Sequence, residues 1–143
     1  MKIKKIAVIG AGMMGAGIAQ VFAQKDIRVM LNDISEEALQ KGLDAVSKFM
    51  DEGIRRKKNT PEDKKRVFEN IQTTTSLQDA LRDCDFVIEA VFEKVALKQD
   101  IFREIEKYAP HDIYIATNTS SISIAEIAAS IETPSRVVGM HFN

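Results

Sequence analysis

The chain is poor in cysteine, in net charge and in long apolar runs, and each shortage excludes a class of protein. Cys84 is the single cysteine in 143 residues, so no internal disulfide forms and no Cys and His cluster has zinc spacing. One thiol fits a reducing compartment, which points to a cytoplasmic protein. The 20 basic residues are matched by 21 acidic ones, and a net charge of −1 argues against a nucleic-acid partner. The longest apolar stretch, Ile6 to Ala19, follows the lysines of MKIKK and superficially resembles a secretory signal. It is too short to span a bilayer, and it is interrupted by Gly10, Gly12, Gly15 and Gly17, whose spacing has a more specific explanation. No repeat or low-complexity segment is present. A chain of this length buries about 70% of its unfolded surface and folds as one domain without metal staples.

What is present is alternation. Short β-rich runs follow one another with helical patterns between them: Ile6 to Ile9, Arg28 to Asn32, Ile71 to Thr74, Phe86 to Glu89, Ile113 to Thr117 and Arg136 to Met140. Six strands separated by helices predict a doubly wound α/β fold, a parallel sheet of the Rossmann kind. Between the second and third strands Leu39, Leu43, Val46, Met50 and Ile54 form one apolar stripe of a long helix. The basic run Arg55 to Lys58 closes that helix, and Thr60 with Pro61 opens a second, giving a helical pair inserted after strand two. Ser76 with Asp79, and Ser123 with Glu126, have the spacing of capping pairs and place helices before strands four and six. Leu97, Ile101 and Ile105 mark the helix between strands four and five.

In such a sheet ligands bind beyond the carboxyl ends of the strands. After strand one stands GAGMMG, that is Gly10, Ala11, Gly12, Met13, Met14 and Gly15, a G-x-G-x-x-G pattern opening a helix. Gly10 permits the tight turn, Gly12 lets the backbone approach a pyrophosphate, and Gly15 lets helix and strand pack closely. Asp33 ends strand two about 20 residues further on, where a carboxylate binds the adenosine ribose and repels a 2′-phosphate. No Arg or Lys directly follows it, so NAD is expected rather than NADP. The plain alternative is that Asp33 caps the helix starting near Ser35.

Strand four runs into Glu89 and Glu93. Glu93 is the better site residue, its alternative being a first-turn acid set against a helix dipole. Lys98 reads by default as a solvated helix lysine. With Ser123 and Glu126 serving as a cap, Asn118 and Ser120 are spare polar groups at a strand end, open to a ligand. His141 ends strand six, while His111 lies in a polar turn. An imidazole at His141 is placed to take a proton from a hydroxyl while hydride leaves the same carbon, the plain alternative being that a lone histidine at a strand end has no catalytic role.

GAGMMGAGIAQ, the Asp33 strand end, VIEAVFE, NTSSISI and GMHF together resemble the L-3-hydroxyacyl-CoA dehydrogenases, including the 3-hydroxybutyryl-CoA dehydrogenases. The resemblance spans essentially the whole chain. It implies reversible NAD-dependent oxidation of a 3-hydroxyacyl-CoA, as in fatty-acid β-oxidation. By position, Gly10 to Gly15 and Asp33 match the NAD site, Glu93 and Lys98 further cofactor contacts, His141 the catalytic base and Ser120 the serine bonded to the substrate's 3-oxygen. The helical pair after strand two resembles the part of the family fold that lies along the CoA chain, which makes Arg56 and Lys57 candidate contacts to CoA phosphates, the alternative for each being a solvated helix end; Ser120 and Asn118 complete the substrate-binding set. The family continues H-F-F-N-P, then a glutamate that pairs with the histidine, then a helical domain that closes the cleft and dimerises. Here the sequence reads His141, Phe142, Asn143. An NAD-binding domain is therefore expected, binding NADH but turning over slowly alone, with a helical domain or partner chain and a homodimeric full-length form implied. Two other readings stand beside it: a dehydrogenase of a non-CoA hydroxy or sugar acid, and a noncatalytic NAD-binding module.

Overall fold

Residues 2–119 and 123–141 are described by the computed structural model. Six strands form one parallel sheet: β1 (Lys5–Ile9), β2 (Arg28–Asn32), β3 (Ile71–Thr74), β4 (Phe86–Glu89), β5 (Ile115–Asn118) and β6 (Val137–Met140). Their order across the sheet is β3-β2-β1-β4-β5-β6, so the direction of winding reverses between β1 and β4. The helices are α1 (Met13–Gln24), α2 (Glu36–Arg55), α3 (Pro61–Asn70), α4 (Leu77–Leu81), α5 (Val95–Tyr108) and α6 (Ile124–Ala128). Among the described residues no helix is long and apolar enough to cross a membrane.

Strand side chains alternate between the two faces, and two cores result. Ile6, Val8, Val29, Leu31 and Ile88 pack under α1, α2 and α3. Ala7, Ile9, Val87 and Ile115 pack under α4 and α5, against Leu81, Phe102 and Ile105, and Ile127 of α6 joins them. Being buried on both faces is why these strands read as continuous apolar runs.

Local signals account for the helix starts. Thr60 and Asp63 form a reciprocal capping box with Pro61 in the first helical position, and Ser76 accepts the Asp79 N–H at 3.1 Å. Ser35 accepts the Ala38 N–H at the start of α2. The expected pair of Ser123 and Glu126 is a correction: Ser123 stands at the N-cap of α6, but its side chain makes no cap hydrogen bond. Four strand bounds also shift: β1 begins one residue early, at Lys5, β5 runs on to Asn118, and the starts of β5 and β6 move inward. Ile113 and Tyr114 precede the β5 ladder, and Arg136 falls in a 3-10 turn before β6. Its guanidinium is buried there, donating to the carbonyls of Ile113 and Pro110 at 2.8 and 2.7 Å. That bond needs Ile113 outside the sheet with its carbonyl turned toward Arg136.

Candidate functional site

The parallel register lines up the strand ends. Ile9 pairs with Asn32 on one side and Glu89 on the other, and Glu89 pairs with Thr117. Gly10, Asp33, Ala90 and Asn118 therefore stand in one row along the carboxyl edge. The row is tied laterally, Gly10 donating to the Asn32 carbonyl and Ala90 to that of Ile9, both at 2.8 Å.

Gly10 lies at the point where the winding reverses. Its φ is +109°, and a Cβ there would sit 2.6 Å from the Ala90 carbonyl oxygen, so glycine is required twice over. A Cβ on Gly15 would collide with the Gly10 carbonyl, which is the close helix-to-strand approach expected of the third glycine. Gly12 differs from both. Its φ is an ordinary −67°, and no protein atom lies within 4 Å of where its Cβ would be. No neighbouring protein atom requires a glycine at this N-cap, whereas an anion resting on the first turn of α1 would need the open space. The first turn has no acidic residue and no side-chain cap, so its N–H groups remain for a ligand. Met13 and Met14 follow on that turn with exposed side chains. The loop thus fits the pyrophosphate of a dinucleotide.

Asp33 is not the cap of α2, a role Ser35 fills. Its carboxylate accepts the Ala11 N–H at 2.8 Å and the Ile34 N–H at 2.6 Å. The half-buried acid is fixed to the glycine loop beside Gly12, at the strand end where dinucleotide-binding sheets carry the acid for an adenosine ribose.

Across the reversal point, the ends of β4 and β5 hold a buried ion pair. Lys98 donates to Glu89 at 2.6 Å, and both side chains are fully buried. Lys98 also reaches Glu93 at 3.2 Å, with the carbonyls of Val91 and Asn118 at 3.4 and 3.5 Å. The reading of Lys98 as a solvated lysine is thus corrected. A buried ammonium needs carboxylate partners, and strand alternation supplies one: Glu89 shares the face of Val87, against which α5 packs. Thr117, on the same face, donates to Glu89 at 2.6 Å, and the Val91 N–H does so at 2.7 Å. Glu93 precedes α5, whose N-cap is Lys94, and so is not a first-turn acid. It accepts the Thr119 hydroxyl at 2.6 Å. Glu89, passed over in favour of Glu93, and Thr117, which was not singled out, both belong to this cluster, and the signal for them was the period-two pattern of Val87 with Glu89 and of Ile115 with Thr117.

His141 follows β6 and is exposed. Because Asn118 pairs with Met140, it stands level with Thr119, next to the β4 and β5 ends. Ser120 lies outside the described residues. Asn118 is engaged rather than spare, so the capping argument that left it open falls with the missing Ser123 bond. Arg56 and Lys57 do not converge on the row. They terminate α2, 20 residues and about 30 Å from the Asp33 end. Arg56 is paired with Glu52 at 2.9 Å, and Lys57 takes a left-handed φ of +60°.

A glycine loop, an acid at the end of β2 and a reversal crevice in a six-stranded parallel sheet define a dinucleotide-binding domain of the Rossmann class. The family described as 3-hydroxyacyl-CoA dehydrogenase, NAD binding domain, matches residues 5–143, and the chain belongs to it. It is 39% identical over 142 residues to a probable 3-hydroxybutyryl-CoA dehydrogenase of Bacillus subtilis, covering 99% of this chain and 49% of that protein. It is 40% identical to the 3-hydroxyadipyl-CoA dehydrogenase of Escherichia coli, covering 99% of this chain and 30% of the relative. The crystal structure of the (S)-3-hydroxybutyryl-CoA dehydrogenase of Ralstonia eutropha superposes with a TM-score of 0.95 at 40% identity, over 99% of this chain and 50% of that one. The chain thus spans half or less of the length of these relatives.

Proposed function

We propose that this chain is the cofactor-binding part of an NAD-dependent dehydrogenase that oxidises 3-hydroxyacyl-CoA to 3-oxoacyl-CoA. The observation that carries it is Gly12: a glycine with open space over a helix N-terminus, beside an acid fixed by the same loop. Family membership narrows the substrate, since the relatives carry names of dehydrogenases acting on CoA esters.

In this reading Gly10 to Gly15 hold the pyrophosphate and Asp33 the adenosine ribose. NAD, when bound, accepts the hydride from C3 of the substrate. His141 takes the proton of the 3-hydroxyl, and Ser120 holds its oxygen close to the imidazole. Arg56 and Lys57, at the far end of α2, meet the CoA phosphates if the acyl-CoA lies along that helix. The imidazolium formed at His141 is stabilised by a carboxylate in the family pattern. The relatives are about twice the length matched here, and in this reading a helical domain or partner chain supplies that carboxylate, completes the site and mediates a homodimer, so that residues 1–143 by themselves turn over slowly. The buried single thiol of Cys84 fits a cytoplasmic setting.

The test is titration of NADH fluorescence with the purified chain, followed by acetoacetyl-CoA. Saturable binding, with NADH consumed only when the CoA ester is present, supports the reading. Failure to bind NADH refutes it. Consumption with a free 3-oxo acid at an equal rate moves the substrate to the non-CoA class.

A further inference from the structure

The described interaction of Glu89 is larger than a strand end requires. Its side chain is fully buried, so it touches no ligand in the crevice, yet it accepts three hydrogen bonds from three separate segments. Val91 belongs to the loop after β4, Lys98 to α5 and Thr117 to β5, at 2.7, 2.6 and 2.6 Å. Lys98 in turn is shared between Glu89 at 2.6 Å and Glu93 at 3.2 Å. Glu93 has the more exposed carboxylate, and its other oxygen accepts from Thr119. The cluster of Glu89, Glu93 and Lys98 therefore runs from the core to the surface, with the innermost acid holding the cation by the shorter bond.

Its place relative to the dinucleotide follows from the sheet. Asp33 is on the β2 side of the reversal point and takes the adenosine half, so a dinucleotide crossing between β1 and β4 puts its other half over β4 and β5. We propose that Glu89 is a positioning residue for the nicotinamide half of the cofactor, acting through Lys98 and Thr117 to hold Glu93 and the end of β5. The inference rests on the NAD reading above. In Glu89→Gln the charge opposite Lys98 is gone while the shape stays. The ammonium then turns to Glu93, the remaining carboxylate, and draws the 90–94 segment out of register with Thr119.

The experiment separates the two halves of the cofactor. Dissociation constants of NADH and of ADP, which lacks both the nicotinamide and its ribose, are measured on the full chain by fluorescence titration and calorimetry. Glu89→Gln is expected to weaken NADH about tenfold, the size of one lost charge-assisted bond, while ADP stays within about twofold. Thr117→Val removes a single donor to Glu89 and keeps the fold should Glu89→Gln fail to, and it gives the same split at about threefold. Equal weakening of both ligands, or of neither, overturns the positioning role and leaves the cofactor reading intact. If the unmodified chain binds ADP and NADH with the same affinity, no nicotinamide subsite exists to be positioned and the proposal falls. Absence of binding to either ligand overturns both.

Discussion

Ala11 donates its backbone N–H to the Asp33 carboxylate at 2.8 Å, across 22 residues of sequence, so the acid that ends β2 is fastened to the loop that ends β1. The direction of the carboxylate and the shape of the glycine loop are thereby set together. Asp33→Asn keeps an oxygen that accepts from Ala11 but removes the charge. NADH is expected to bind about tenfold more weakly, while the ratio of NADPH to NADH affinity rises because the repulsion toward a 2′-phosphate is gone. Parallel titrations with the two cofactors check this, and an unchanged ratio would leave Asp33 with a role in loop shape alone.

Two glycines three residues apart are expected to respond in opposite ways. Gly12→Ala adds a methyl where no protein atom lies within 4 Å, at a φ of −67° that alanine adopts readily. The thermal midpoint should move by about 2 °C or less, while NADH affinity falls at least about tenfold as the methyl fills the space above the α1 N-terminus. Gly15→Ala drives its methyl into the Gly10 carbonyl and is expected to cost about 2 to 3 kcal/mol of stability. Thermal melts and NADH titrations on the two variants decide the matter, and a large melting shift in Gly12→Ala would contradict it.

Lys98→Met leaves Glu89 buried without its cation. A loss of about 3 to 5 kcal/mol in urea unfolding is expected, the usual consequence of removing one partner of a buried pair. Adding Glu89→Gln should recover part of that loss, because the amide carries no charge to be stranded. A double variant as unstable as the sum of the singles would show that the two residues do not act as a pair.

Burial pushes the Cys84 thiol up to about 11. An exposed thiol ionises near 8.5, so between roughly pH 9 and 11 the folded chain holds a proton that the unfolded chain has lost. Stability therefore falls as pH rises through that window, by about 2 to 3 kcal/mol, and levels off above it. Cys84→Ala lacks this component. Urea midpoints at pH 8 and pH 10.5 should drop further for the unmodified protein than for the variant, and equal drops would assign the effect to other groups.

β1, β4 and β5 were readable because burial on both faces leaves continuous apolar runs, and β2, β3 and β4 have the bounds expected from sequence. The glycine loop and Asp33 were readable because their geometry is local: a turn, a helix start and an acid at a fixed distance. The β4 and β5 cluster was not. Leu97, Ile101 and Ile105 marked α5 at helical spacing, and Ile101 and Ile105 do pack on the core, but the fully buried set of that helix is Lys98, Phe102 and Ile105. The partner that Lys98 finds there is Glu89, itself bonded to Thr117, and both lie on other elements, so no window along α5 contains them. The Ser123 cap failed for a related reason: spacing proposes a hydrogen bond, but loop geometry decides whether it is made.

The parallel order has a consequence for how the molecule comes into being. β1 meets β2 after a short connection, Lys5 lying opposite Arg28, but meets β4 only when the chain has travelled 80 residues to bring Asp85 back to Lys5. Closing the longer loop costs about 1 kcal/mol more chain entropy than closing the shorter one, and non-local pairings of this kind slow the search for the native state. The β1 and β4 junction is also where Gly10 touches Ala90. The crevice between the two halves is thus a product of the most distant pairing that β1 makes, and a molecule that fits it rewards only chains that have already completed that step.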